Sequence, residues 1–163
     1  MLHAGTLAAM AAFPDRLQEF LEAVPAGLLR WAPPSWDGVP SESLTALEQI
    51  CHVRDIEIDG YQLRFRRLLT EVDPLLPAID GYALVRQRGY AQADAGEALA
   101  AFRAARLATL ELLRGLGAEQ LQRQGTFEDY GPVTLTGLVH YLCSHDQQHL
   151  SGLQWLLGKM QQA

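Results

Sequence analysis

The segment "HYLCSHDQQHLSGL", residues 140–153, carries His140, His145 and His149 inside one strongly apolar stretch. An imidazole costs free energy to bury without a partner, so such a group is either a set of satisfied core positions or a metal site. His145 and His149 are four residues apart. On a helix that spacing separates them by about 40° around the axis and one turn along it. They project side by side, the geometry two imidazoles need to share one ion. His140 stands five residues before His145, about 140° away, and belongs to packing or to the surface.

Two ligands do not make a stable site. The remaining histidines are His3, near a terminus, and His52, inside "LEQICHVRDIE" with Glu48, Asp55 and Asp59 on its own helical face. One histidine from this segment and two from the later one can converge in a bundle core. Three neutral nitrogens leave positions open for water or substrate, as catalytic rather than structural zinc-type sites do. A ligating imidazole also needs its other ring nitrogen hydrogen-bonded. Glu48, Asp55 and Asp146 are candidates for that second role, though Glu48 better suits a helix cap and Asp146 equally suits solvent. No catalytic residue stands out. Cys51 lies about 100° from His52, and Cys143 about 200° from His145, so both thiols are expected in the core rather than at the metal.

Other metal chemistries fit less well. A zincin needs H-E-x-x-H with a glutamate base, and here Asp146 takes that place. An HD-type phosphohydrolase needs a further aspartate, but none follows Asp146. A di-iron bundle wants Glu-x-x-His pairs, whereas Leu142 and Asp146 precede His145 and His149 at that spacing.

These residues must be positioned by helices. The first is expected from about Thr6 to Val24, with Phe13, Leu17, Phe20, Leu21 and Val24 at helical spacing and Pro14 as a point of kinking or restart. Thr45-Ala46-Leu47-Glu48 reads as a capping box opening a second helix that runs to about Leu69. The segment from Val72 to Gly89 reads mostly as loop. Asp94-Ala95-Gly96-Glu97 opens a third helix ending at Gly115 or Gly117. "QGTFEDYGPV" reads as another loop, and the fourth helix runs from near Thr134 or Thr136 to about Met160. No run of strands is expected. Four amphipathic helices imply an all-α four-helix bundle in one domain spanning residues 1–163.

The 163-residue chain is nearly half apolar, which suffices for a core, and its formal net charge is −6. That charge disfavours wrapping nucleic acid, which needs clustered Lys and Arg. The densest basic run, Arg64, Arg66 and Arg67, reads as a solvated helix face. Two cysteines outside any C-x-x-C motif make no disulfide framework. The apolar start "MLHAGTLAAMAAF" lacks a basic region and reads as the start of a helix rather than a signal peptide. No segment reaches bilayer-spanning length, so neither membrane nor nucleic acid is an expected partner, and the cytoplasm is the expected location.

"HDQQHLSGLQWL" (145–156) resembles the H-D-x-x-H-L-x-x-[IL] signature of the DinB-like (DinB/YfiT) superfamily of bacterial metal-binding bundles. "LTALEQICHVRDIE" (44–57) is similar to its first motif, roughly W-S-x-x-E-x-x-x-H-L-x-D-x-E, with Glu48, His52, Asp55 and Glu57 at matching positions. Leu44-Thr45 replaces Trp-Ser, with Trp31 or Trp36 as substitute aromatics, and Val53 replaces leucine. The resemblance implies a divalent metal, zinc or nickel, on His52, His145 and His149. It implies an up-down-down-up bundle with a long crossover between helices 2 and 3, and a homodimer. It also implies a metal-dependent enzyme of thiol S-transferase or hydrolase type, the former using a low-molecular-weight thiol such as bacillithiol, mycothiol or glutathione on a small electrophile. The alternative is a non-catalytic, stress-linked bundle in which the metal is structural. The loop aromatics Trp36, Tyr82, Tyr90 and Tyr130 are expected either to cover the metal mouth or to pack.

Overall fold

The computed structural model describes residues 1–162. Helix α1 spans Ala4–Glu22 and is capped by His3, whose Nδ1 accepts from the Gly5 N–H at 3.1 Å. Pro14 lies inside α1 without ending it. Proline has no N–H to give the carbonyl four residues earlier, here that of Met10. That carbonyl instead accepts from Arg106 Nη1 at 3.0 Å, so the helix continues with its orphan acceptor satisfied.

Helix α2, Ala46–Asp55, opens on the expected capping box. The Glu48 N–H donates to Thr45 Oγ1, and the Thr45 N–H donates to Glu48 Oε2 at 2.8 Å. It runs without interruption into a π-helical segment, Ile56–Gln62, and then α3, Leu63–Thr70. A π turn lengthens the hydrogen-bonded repeat to five residues, which shifts everything after it around the axis. At regular α spacing Arg64 would lie about 120° from His52; with one residue absorbed by the π turn it lies about 20° away. The expected solvated basic face is therefore corrected: Arg64 is buried, Arg67 is half-buried and paired with Glu71, and only Arg66 is exposed.

Three further expectations are corrected. The segment from Val72 to Gly89 is not mostly loop. It holds strand β1, Leu75–Leu76, and helix α4, Gly81–Arg88, capped by Asp80. A 3₁₀ turn, Tyr90–Gln92, leads to α5, Ala95–Arg114, whose cap is Asp94. After the short α6, Ala118–Leu121, the expected loop "QGTFEDYGPV" is mostly the hairpin of β2, Gln124–Phe127, and β3, Gly131–Thr134. The chain is thus mostly helical, as expected, but the expectation of no strands is corrected by one small sheet. The three strands form one sheet ordered β1-β2-β3, β1 parallel to β2 (Leu75↔Thr126) and β2 antiparallel to β3 (Gly125↔Val133). These strands have two to four residues each, too few for alternation to show. Helix α7, Leu135–Met160, is capped by Thr134 and carries His145 and His149.

The long helices α1 and α2 both pack on α5 and α7. The core falls into two clusters. One holds Phe65, Leu68, Leu110, Leu138 and Leu142, and the other Phe13, Leu17, Leu47, Ile50, Phe102 and Leu153. Cys51 is buried as expected; Cys143 is only half-buried. Among the described residues no helix is long and apolar enough to cross a membrane.

Candidate metal centre

Helices α2 and α7 bring His52, His145 and His149 together. His52 Nε2 stands 3.3 Å from His145 Nε2, and His149 Nε2 stands 3.1 Å from it. One ring nitrogen from each of the three lies within 4.8 Å of the other two. Two imidazole nitrogens ligating one zinc tetrahedrally, each at 2.0–2.1 Å, are about 3.3 Å apart, so the spacing fits a shared ion. The donor chemistry fits as well. Burial holds His52 below the usual histidine range, with Glu42 and Asp55 opposing. Burial also holds His145 and His149 well below it, and the neighbouring groups His52, Arg106 and Arg64 add to this for His145. Imidazoles kept neutral are imidazoles able to ligate.

The surroundings orient the rings. His149 Nδ1 contacts Gln49 Oε1. The amide is aligned because Gln49 Nε2 donates to Ser41 Oγ at 2.9 Å and to the Leu44 carbonyl at 3.4 Å. An oxygen on Nδ1 fixes the proton there and leaves the Nε2 lone pair facing the centre. His52 Nδ1 is buried without a hydrogen-bond partner among the described residues. Gly81, opening α4, lies against this ring: a Cβ there would sit 2.7 Å from His52 Cε1 and 3.1 Å from Nδ1.

The three carboxylates nominated as supports are elsewhere. Glu48 closes its capping box. Asp55 binds Arg54, Arg88 and the Tyr90 hydroxyl, at 2.7, 2.9 and 2.5 Å. Asp146 binds Arg106 through both oxygens, at 2.7 and 2.9 Å, and Arg106 also grips Glu57. None of the three hydrogen-bonds a site imidazole among the described residues. His140 is exposed and His3 caps α1.

Sequence reasoning missed two residues at this centre. Gln49, three positions before His52, had the signal of an amide set between Leu47 and Ile50. Glu42 lies in the loop before α2, where no periodicity marks it. Its Oε2 is 3.4 Å from His149 Nε2 and its Oε1 is 3.7 Å from His52 Nε2. Oε2 is buried with no hydrogen-bond partner among the described residues. Because burial keeps the imidazoles neutral, these contacts are not ion pairs.

The centre opens into a cavity of about 450 Å³. Glu42, His52 and His145 form one end; Ile56, Tyr61, Arg64, Ile79, Phe127 and Tyr130 form the walls. Of the four loop aromatics, only Tyr130 lines it. Tyr82 accepts from the Ser43 N–H, Tyr90 is buried on Asp55, and Trp36 stacks on Trp155. Burial raises the Cys51 thiol and pushes Cys143 up to about 11. Both stay protonated near neutral pH, which makes them poor nucleophiles.

The fold and the site define a class: a helical bundle whose three-histidine cluster, at one end of a cavity, could hold a metal ion. The chain belongs to the DinB superfamily, whose profile it matches over residues 9–152. No curated protein matches it. Among solved structures it is similar to YfiT from Bacillus subtilis, a probable metal-dependent hydrolase with an unusual four-helix bundle topology. That likeness has a TM-score of 0.79 at 22% identity, covering 96% of this chain and 86% of YfiT.

Proposed function

We propose that this chain is a metal-dependent enzyme that activates water, or a small thiol in its place, against an electrophilic substrate. The observation that carries the reading is the convergence of three neutral imidazoles and an unpartnered carboxylate oxygen at the end of an open cavity. His52, His145 and His149 would hold a divalent ion, zinc or nickel, which supplies the Lewis acidity that makes water or a thiol nucleophilic near neutral pH. The chain's own groups do the rest. Gln49 fixes the His149 ring, and Gly81 leaves His52 room. The Glu42 carboxylate is placed to accept the nucleophile's proton. Ile56, Ile79 and Phe127 shield the reacting end from bulk water. The likeness to YfiT, a probable metal-dependent hydrolase, favours hydrolysis; the low-molecular-weight thiol expected from family resemblance would occupy the same position. The up-down-down-up order, the long crossover, the homodimer and the cytoplasmic setting belong to the same proposal.

A second reading has its own observation. Glu42 Oε2 lies about as far from His149 Nε2 as the imidazole nitrogens lie from one another, so Glu42 would serve as a fourth ligand and close a structural site. One experiment separates the two. Metal content is measured by mass spectrometry for the wild type, His52→Ala, His145→Ala, His149→Ala, His140→Ala and Glu42→Gln, beside turnover of an activated ester and of an electrophile with several thiols. The enzyme reading expects metal to be lost in the three cluster variants and kept in His140→Ala and Glu42→Gln, with turnover falling about 10²-fold or more in Glu42→Gln. Metal lost from Glu42→Gln, with no turnover in the wild type, selects the structural site.

A further inference from the structure

Arg64 is a buried cation in the cavity wall with no anionic partner. It is 3% exposed, and no carboxylate lies within ion-pair distance of it among the described residues. The contrast with Arg106, buried between Glu57 and Asp146 at 2.9 and 2.7 Å, is direct. Arg64 spends Nε and Nη2 on a single acceptor, the Pro77 carbonyl, at 3.0 and 2.7 Å. Nη1 makes no hydrogen bond among the described residues. The guanidinium lies against the rings of Phe127 and Tyr61, 4.5 and 5.2 Å from their centroids. It fits there because residue 60 is glycine: a Cβ would stand 2.9 Å from Nη1. Such a site is costly for a charge left unpaired, and the free end of a guanidinium matches a carboxylate bidentately.

The other charged groups on this cavity are Glu42, at the imidazole end, and the exposed Asp129. Tyr61 spans the gap between cation and cluster, its ring 6.1 Å from that of His145. Ile56, Ile79 and Phe127 give the intervening wall an apolar surface.

We propose that the cavity selects small organic carboxylates, the free edge of Arg64 binding the carboxylate while an apolar segment lies along Tyr61 and Phe127 and the reacting bond meets the imidazole cluster. This rests on the cavity being the substrate site of the enzyme described above, and names its substrate class.

The probe is benzoate, with benzamide as its neutral isostere, titrated by calorimetry into the whole protein at fixed ionic strength. A carboxylate can also bind a metal directly, so both chelator-treated and zinc-loaded samples are used. The expected result is benzoate binding at least about tenfold tighter than benzamide in the chelated wild type, a preference abolished in Arg64→Met. Gly60→Ala, which keeps every charge but crowds Nη1, reduces the preference and decides the matter should Arg64→Met fail to fold. Equal binding of the two probes by chelated wild type, or a preference that survives both variants, overturns the proposal and leaves Arg64 as a strut on Pro77. Zinc stoichiometry on the same samples keeps the metal reading separate, since its failure leaves the chelated comparison intact.

Discussion

The centre depends on imidazoles that refuse protons. Burial lowers the pKa of His52, and of His145 and His149 more strongly, whereas an unfolded chain protonates histidine near about pH 6.5. Below that value the unfolded state binds more protons than the folded one, so stability is fully present above it and falls as pH drops toward the lowered folded pKa values. Each imidazole that stays neutral contributes a slope of about 1.4 kcal/mol per pH unit. Urea midpoints of chelator-treated protein should fall between about pH 7.5 and about pH 5.5, and the fall should be shallower in His149→Gln. A second prediction concerns Gly81. Because a Cβ would press on His52 Cε1 and Nδ1, Gly81→Ala should weaken zinc binding by about tenfold or more in a chelator competition, with the circular dichroism spectrum unchanged. The three histidines were legible in the sequence because i, i+4 spacing and a polar-flanked partner histidine are local signals. Glu42 was not, because a loop carries no period, and neither was Gln49 as the partner of His149, because that contact joins α2 to α7.

Helix starts are the elements the sequence declared most plainly. Thr45, Asp94 and Thr134 each accept from a backbone N–H of the following turn, a chemistry written in three or four consecutive residues. The capping box separates two roles for Glu48. Its carboxylate serves the Thr45 N–H and hydroxyl, not an imidazole. Thr45→Ala and Glu48→Ala should therefore each lower stability, the former by about 1 kcal/mol, while leaving zinc affinity within about twofold of wild type. A fall in zinc affinity comparable to that of Gly81→Ala would give Glu48 a place at the centre instead. The elements that stayed hidden have physical reasons in common. The strands are too short to alternate visibly, and α4 buries no residue fully, so neither leaves an apolar pattern. The π segment was hidden differently: residues 45–69 do read as one helix, but nothing local announces the extra residue in a turn that rotates Arg64 from a solvent face to the cavity.

Across the whole molecule, one guanidinium touches every long helix of the bundle. Arg106 on α5 donates to the Met10 carbonyl of α1, to Glu57 in the π segment that continues α2, and to Asp146 of α7. Its flat face also lies 5.2 and 5.1 Å from the centroids of Phe13 and Phe102. The sequence shows only three charged residues, separated by about forty positions or more, each of which would ordinarily be assigned to the surface. Their pairing is a product of the fold. Two carboxylates share one cation here, and burial pushes the Asp146 carboxyl up to about 7, Glu57 adding to the shift and Arg106 opposing it. Removing the cation alone strands two buried acids, so Arg106→Met should cost about 3–5 kcal/mol in urea unfolding. Replacing all three with apolar groups of similar volume, in Glu57→Met, Arg106→Leu, Asp146→Leu, removes the stranded charge and should recover most of that loss. The Met10 carbonyl, freed by Pro14, then keeps no donor, and a residual cost of about 1–3 kcal/mol is expected. Adding Pro14→Ala to the triple variant restores a donor within α1 and should return part of that residue. A triple variant no more stable than Arg106→Met would mean that the network stabilises the bundle through its hydrogen bonds rather than merely neutralising its own charges.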